Sequence, residues 1–351
     1  MRLMNRILFH TLMIFPFLLI TFACDRHPEE KDISVTQNSK RAIYNPDSLQ
    51  KVTLLPYWVT TAQFAGYYVG KEKGIFARYG IDLEVMSFQT NMNMEEMIRH
   101  QVATFYISWL VNAIDLKDSG LDIVNIAQLS SRSSLLLLTK KSSGIETISD
   151  MEGKRAAIWS GFELHPQALF KKNKVNVKIV PIGSSNNLFL SDGVEIINAN
   201  WFDEYHTIIN CGYNEDELET FFFADHGLNF LEDGIYTLQS TLDADPTLCK
   251  RFVEAALESW RYAFEHPEET VDIVLARQHK QNIPASLVHQ RWMLDRYHDL
   301  YYPEGNTFLN TSLKKSEYES NARVLLEAGL ISKIPPFHEF FIPVISSWRD
   351  L

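Results

Sequence analysis

The segment NWFDEY at 200–205 carries the side chains needed to bind a small flat molecule. A carboxylate such as Glu204 accepts hydrogen bonds from ring nitrogens or amino groups, and aromatic rings on either side can sandwich a heterocycle. A solvated turn is the alternative interpretation of Glu204. The candidate ligand-binding residues in this segment are Asn200, Trp201, Glu204 and Tyr205.

Further candidates lie on loops that follow predicted strands. Trp58 lies between an apolar strand that ends at Pro56 and a helix that contains Gly66. Ligands of parallel sheets bind outside the carboxyl ends of the strands, so we expect Trp58 to face a ligand. Backbone N–H groups at Ser160 and Gly161 precede a predicted helix and can bind an anion or a carbonyl oxygen. The other candidates are Gln63, Tyr67, Tyr68, Ser130, Ser131 and Asp225.

Each of these candidates also has an ordinary structural interpretation. Trp58 can cap the core of its domain, and Ser130 and Ser131 can belong to a polar turn before a buried strand. Of Tyr67 and Tyr68, which follow Gly66 on the predicted helix, we expect one to pack inward and the other to face the ligand.

The sequence gives no sign of a catalytic centre. It contains no G-x-S-x-G elbow, HExxH, P-loop or G-x-G-x-x-G motif. The 11 histidines lack metal-ligand spacing, and Cys24, Cys211 and Cys249 are far apart. We therefore predict no catalytic residue, metal or cofactor. A formal net charge of −11 leaves no basic excess for phosphates, so we expect no nucleic-acid partner.

The N-terminus resembles an export signal. Arg2 and Arg6 precede an apolar run from Ile7 to Phe22, after which Ala23 and Cys24 lead into a polar stretch. We predict a lipoprotein-type signal peptide at 1–24, lipidation of Cys24 and a flexible tether at 25–50. A plain signal peptide and an uncleaved anchor are the alternatives, and all three place the remaining chain outside the cytoplasm.

After residue 50, the sequence pattern indicates alternating strands and helices. With 351 residues and 46% hydrophobic residues, the chain is long enough for about two domains. Alternation at 81–85 and the apolar run at 135–138 predict strands, the second of them buried on both faces. A second α/β unit begins near residue 140, and the last third is helical. The pattern predicts an α/β protein with mostly parallel sheets.

Three segments in this order resemble periplasmic solute-binding proteins of ABC importers, in the branch that binds thiamine pyrimidine precursors and alkanesulfonates. They are WVTTAQFAGYYVGKEKGIFARYGIDLEV at 58–85, SDMEGKRAAI at 149–158 and DADPTLCKRFVEAALESWRYAFEHPEETVDIV at 243–274. The resemblance implies a bilobal type II periplasmic-binding-protein fold, with helices flanking two mostly parallel sheets and two crossovers forming a hinge. Residues 51–137 and 237–351 would form lobe 1, and residues 138–236 would form lobe 2.

The resemblance also implies a function: capture of a small molecule outside the cytoplasm and delivery to an ABC permease, by a monomer that the lipid anchor holds at the membrane. We favour a pyrimidine-like ligand over a sulfonate, because the candidate segments contain aromatic residues and Glu204 where a sulfonate would need arginine. Gln63 and Phe64 stand where the pyrimidine-binding branch commonly has Asn and His, so the identity of the ligand stays open.

Three alternatives remain. The first is an alkanesulfonate- or taurine-type binding protein. The second is an enzyme similar to the pyrimidine synthase of thiamine biosynthesis, although this chain lacks the cysteine-rich motif of that enzyme. The third is a ligand-sensing lobe that signals to a membrane partner instead of feeding a transporter.

Overall fold

The computed structural model describes residues 49–89, 92–302 and 308–345, and every structural statement below concerns those ranges. The predicted signal peptide, the lipidation of Cys24 and nearly all of the predicted tether lie outside the described residues. In the described part of the chain, no helix has both the length and the apolar character needed to cross a bilayer.

Ten strands form two five-stranded sheets. The order of strands is β2-β1-β3-β10-β4 in the first sheet and β7-β6-β8-β5-β9 in the second. The strands are β1 (Gln50–Pro56), β2 (Ile81–Val85), β3 (Phe105–Ser108), β4 (Ile123–Gln128), β5 (Leu135–Lys140), β6 (Arg155–Trp159), β7 (Lys178–Ile182), β8 (Ile196–Asn200), β9 (Leu218–Phe222) and β10 (Gly234–Leu238).

Helices flank both sheets, and the described residues of the last third of the chain are mostly helical, as predicted. The helices are α1 (Ala65–Glu72), α2 (Ile75–Arg78), α3 (Met94–Arg99), α4 (Leu110–Asp118), α5 (Leu164–Lys172), α6 (Asn187–Leu190), α7 (Glu204–Asn210), α8 (Gln239–Ala244), α9 (Pro246–Glu265), α10 (Pro267–Lys280), α11 (Leu287–Tyr301), α12 (Lys315–Glu327) and α13 (Phe337–Phe340).

Each sheet has four strands that run in one direction and one that is reversed. The reversed strands are β10, which is antiparallel to β3 and β4, and β5, which is antiparallel to β8 and β9. Each is the first strand that the chain forms after it passes from one sheet to the other. The two passages lie at 129–134 and 223–233. The predicted α/β class with mostly parallel sheets is therefore confirmed.

The local sequence explains the strand positions. In β2 the apolar residues are buried and the acidic ones exposed, which is the alternation that predicted it. All six residues of β5 are buried, because this strand lies inside its sheet and is covered on both faces. Pro56 ends β1 as expected, since proline has no N–H for further pairing.

Helix α9 joins the C-terminal part of the chain to the first sheet. Its N-terminus is capped by Asp245, whose side chain accepts a hydrogen bond of 2.8 Å from the N–H of Leu248. Its buried stripe packs against α1, where a Cβ on Gly66 would lie 2.4 Å from the ring of Trp260. Glycine at this position therefore permits the close approach of the two helices.

Candidate functional site

Two adjoining cavities lie between the two sheets, at the carboxyl ends of their parallel strands. The smaller, of about 20 Å³, receives residues from the ends of β1, β3, β6 and β8, which is where parallel sheets place their ligands. One part of its wall consists of five aromatic side chains that lie at or after the ends of β1, β3 and β6. The other part is the turn between β8 and α7, which adds Phe202 and polar side chains that include two carboxylates. The lining residues are Tyr57, Trp58, Gln63, Trp109, Trp159, Phe162, Asn200, Phe202, Asp203 and Glu204.

Phe162 lies at the centre of the aromatic wall. Although it belongs to the loop after β6 of the second sheet, its ring stacks on Tyr57 of the first sheet with a centroid distance of 5.1 Å. Trp58 and Trp109 present their edges to it at 5.7 and 4.8 Å, and Trp159 does so at 6.0 Å. Offset and edge-to-face rings of this kind form surfaces on which a flat heterocycle can stack.

The polar part of the smaller cavity is built by the turn from β8 into α7. Glu204 is buried, and its carboxylate accepts a hydrogen bond of 3.0 Å from the N–H of Asn200. Burial raises the pKa of Glu204 well above its usual value, and the negative charge of Asp203 raises that pKa further. Gln63 completes this part from the first sheet, with its Nε2 donating to Asp233 at 3.1 Å.

The larger cavity, of about 320 Å³, adjoins the smaller one and shares Tyr57, Trp58, Trp159 and Phe162 with it. Ser160 and Gly161 line it at the end of β6. No lysine, arginine or histidine is among the described residues that line either cavity. The described residues of the site therefore offer aromatic surface and hydrogen-bond acceptors, and none of them supplies the side-chain cation with which proteins usually bind oxyanions.

Comparison with known proteins identifies the family. Residues 61–270 match the model of a family described as NMT1/THI5 like. The chain belongs to the NMT1/THI5-like family. It is 24% identical, over 279 residues, to riboflavin-binding protein RibY of Chloroflexus aurantiacus, a match that covers 76% of each chain.

Solved structures with a similar fold include the periplasmic aliphatic sulphonate-binding protein SsuA from Escherichia coli. It matches with a TM-score of 0.62 and 12% identity, covering 82% of this chain and 95% of SsuA. A Candida albicans protein described as having the generic periplasmic-binding-protein fold matches with a TM-score of 0.56 and 12% identity, over 82% of this chain and 92% of that one. The NMT1/THI5-like chain thus has the periplasmic-binding-protein fold, which confirms the resemblance read from its motifs.

The structure brings six of the residues predicted from sequence to the cavities of this NMT1/THI5-like protein. Trp58 lines both cavities. Gln63, Asn200 and Glu204 line the smaller one, and Ser160 and Gly161 line the larger one. These residues come from both sheets, although residues 58 and 204 are far apart in the sequence.

The other predicted residues do not line either cavity. Tyr67 is fully buried beside Phe252 and Trp260 in the core, and the Tyr68 ring is covered by the Arg277 guanidinium at 4.6 Å. The expectation that one of the two tyrosines faces the ligand therefore has no support in this arrangement, because α1 packs both of them inward. Five predicted residues remain, of which Asp225 is described below. Of the other four, Ser130 is buried, and the half-buried ones are Ser131, Trp201 and Tyr205.

Asp225 is exposed in the second passage between the sheets and also lies away from both cavities. The buried carboxylates of that passage are instead Glu232 and Asp233. Glu232 accepts hydrogen bonds from the N–H and the hydroxyl of Ser134 in the first passage, at 2.8 and 3.0 Å. Burial raises the pKa of Glu232 to about 8 and that of Asp233 to about 7.

Sequence reasoning missed four aromatic residues of the site. Tyr57 directly follows β1, Trp109 directly follows β3, Trp159 ends β6 and Phe162 lies three residues further on. The available signal was their position, because an aromatic residue at the carboxyl end of a parallel strand lies at the edge where ligands bind.

Proposed function

We propose that this protein is an extracytoplasmic solute-binding protein of an ABC importer and that it captures a flat, hydrogen-bond-donating heterocycle of the pyrimidine type. The observation that carries the proposal is the aromatic cavity between the sheets, with Glu204 and Asp203 in its wall. A ring that stacks on the aromatic side chains would donate hydrogen bonds to these carboxylates.

The residues that line the cavities argue against a sulfonate ligand. An oxyanion would have to lie beside two carboxylates, and no basic side chain is among the described lining residues. Likeness to a sulfonate-binding protein at 12% identity supports the shared fold and does not transfer a ligand. We therefore rank a neutral or cationic heterocycle first.

A larger flat ligand such as riboflavin is the second candidate. The larger cavity continues the aromatic surface of the smaller one and has a volume of about 320 Å³, which is more than a single pyrimidine ring needs. The relationship to a riboflavin-binding protein points the same way. In this arrangement the ring system would stack near Trp58 and Phe162, and a polar chain would extend towards Ser160.

Binding is proposed to close two lobes around the ligand. The passages at 129–134 and 223–233 would act as the hinge, and the lobes would follow the two sheets. A ligand that contacts Trp58 on one side and Glu204 on the other would stabilise the closed form. Lipidation at Cys24 would hold the monomer near its permease. We propose no enzymatic activity for this protein.

A thermal-shift panel tests the proposal. Purified protein lacking residues 1–24 would be heated with an aminopyrimidine, riboflavin, taurine or an alkanesulfonate. A ligand at 100 times its dissociation constant stabilises a protein by about 2.7 kcal/mol, which is readily detected. Stabilisation by the aminopyrimidine or riboflavin supports the proposal, whereas stabilisation only by taurine or the sulfonate refutes the ligand class.

A further inference from the structure

Two histidines join α7, which follows a strand of the second sheet, to α11, which packs on the helices of the first sheet. The Nδ1 atoms of His206 and His289 lie 2.9 Å apart, and their rings are stacked at 5.2 Å. The Nε2 of His289 lies 3.0 Å from Oδ1 of Asp203, which lines the smaller cavity. The contacts therefore run from one side of the site to the other.

The distance between the two Nδ1 atoms limits how many protons the pair can hold. One Nδ1 has to donate and the other to accept, so only one hydrogen can occupy the bond. When Nε2 of His289 donates to the Asp203 carboxylate, the pair can be neutral or can hold one extra proton on His289. If both rings were protonated, two N–H groups and two positive charges would face each other at 2.9 Å.

We infer that His206 and His289 form a proton-sensitive link between the two sides of the cleft, and that this link positions Asp203 at the wall of the cavity. The inference rests on the proposed closure of two lobes. Opening would separate α7 from α11 and expose both imidazoles to water, where each would take up a proton near its ordinary pKa of about 6.5.

The surroundings of the pair give the direction of the effect. Asp203 is the acidic group that faces the histidines, and the ring of Trp292 stacks on His206 at 4.6 Å. Arg296 places a positive charge next to this aromatic group, with its guanidinium 4.8 Å from the centre of the Trp292 ring. Burial lowers the pKa of His206, and the proximity of His289 lowers it further. The closed form consequently binds fewer protons than the open form.

The size of the effect follows from the proton count. If the open form holds two protons and the closed form one, the ratio of open to closed molecules grows about tenfold for each pH unit well below 6.5. If the single proton of the closed form also binds near 6.5, this ratio increases about tenfold between pH 7.5 and pH 5.5. The link is complete at neutral pH and is lost as the pH falls.

The test uses the ligand-free protein, so that it does not depend on the identity of the ligand. Imidazole NMR of the wild type at pH 7.5 should show the single hydrogen shared between the two Nδ1 atoms, and this signal should be absent from His206→Gln. Small-angle scattering should show a larger radius of gyration at pH 5.5 than at pH 7.5 in the wild type. The same measurement on the His206→Gln/His289→Gln variant should show no such change.

A matched control is His298→Gln, which changes an exposed histidine of the same helix that packs on Phe264 and Tyr302 instead of the pair. It should keep the wild-type response. Glu232 and Asp233 are unchanged in all variants, so any response that they cause will persist in the double variant. Absence of the shared hydrogen from the wild type, an unchanged radius in the wild type or an undiminished response in the double variant would each overturn the inference. A failed ligand panel combined with the expected pH response would refute the proposed function alone.

Discussion

Replacing Trp58 with alanine is the most direct test of the candidate site. Trp58 is half-buried, lines both cavities and presents its ring edge to Phe162 across the boundary between the two sheets. Removing the indole takes away a stacking surface for the ligand and leaves the strand that precedes it unchanged. We therefore expect weaker binding and a nearly unchanged fold.

The magnitude can be estimated from the contacts that disappear. An aromatic stacking pair contributes about 0.5–1.5 kcal/mol beyond the burial of apolar area, and the lost burial adds to this. Since about 1.4 kcal/mol corresponds to a factor of ten in the dissociation constant, Trp58→Ala should weaken binding at least tenfold. Trp58→Phe, which keeps a ring in place, should recover most of the affinity.

Calorimetric titration with whichever of riboflavin or the aminopyrimidine stabilises the wild type measures the effect, and thermal unfolding without ligand monitors the fold. Phe337→Ala is a matched control, because Phe337 is a partly buried aromatic residue that packs on Tyr318 and Phe341 and lines neither cavity. Full affinity in Trp58→Ala would place the ligand elsewhere. A large drop in melting temperature would instead show that Trp58 supports the core.

Three further changes probe other parts of the molecule. Glu204→Gln should weaken binding of a donor-bearing heterocycle about tenfold or more by calorimetry, because charge-assisted hydrogen bonds contribute about 1.5–3 kcal/mol; an unchanged affinity would argue for an oxyanion ligand. Cys24→Ser should release the protein from membranes and lower its mass by the lipid, and unchanged fractionation and mass would exclude lipidation. Glu232 has a raised pKa of about 8, so its contribution to stability is greatest below about pH 4.5 and declines as the pH rises towards 8. The wild type should therefore lose stability relative to Glu232→Gln between pH 5 and 8, by up to about 1.4 kcal/mol of unfolding free energy per pH unit. Denaturant titrations of both proteins measure this difference. A difference that does not change with pH would contradict a buried neutral Glu232.

The positions of strands and helices could be predicted where one physical constraint dominated. Alternating apolar and acidic residues predicted β2, and the continuous apolar run at 135–138 predicted β5. The start of the predicted helix that contains Gly66 is harder to place, because a 3-10 turn at Ala62–Phe64 precedes α1. Gln290 on α11 stabilises that turn by accepting the N–H of Ala62, which is a contact between distant parts of the sequence.

The site was predictable only in part for the same reason. Trp58 and Glu204 could be found because each lies in a polar or loop-like context that suggests a ligand. Phe162, Trp109 and Trp159 are buried aromatic residues, and their sequence context is the same as that of a core residue. They become part of a site because the strand ends of the two sheets lie next to each other in the folded protein. No local sequence pattern predicts that arrangement.

The hydrogen bonds of Gln63 indicate which ligands the cavity favours. Its Nε2 donates one hydrogen to Asp233 at 3.1 Å and has a second hydrogen, and its oxygen is an acceptor. A ligand that donates to the Gln63 oxygen leaves the bond to Asp233 in place. The same preference holds at Asp203, whose carboxylate accepts hydrogen bonds and repels anions, and at Glu204 once a donating ligand has stabilised its ionised form. The polar wall is therefore rich in acceptors, and a ring that carries amino or N–H groups matches it better than a ring that carries only carbonyl oxygens.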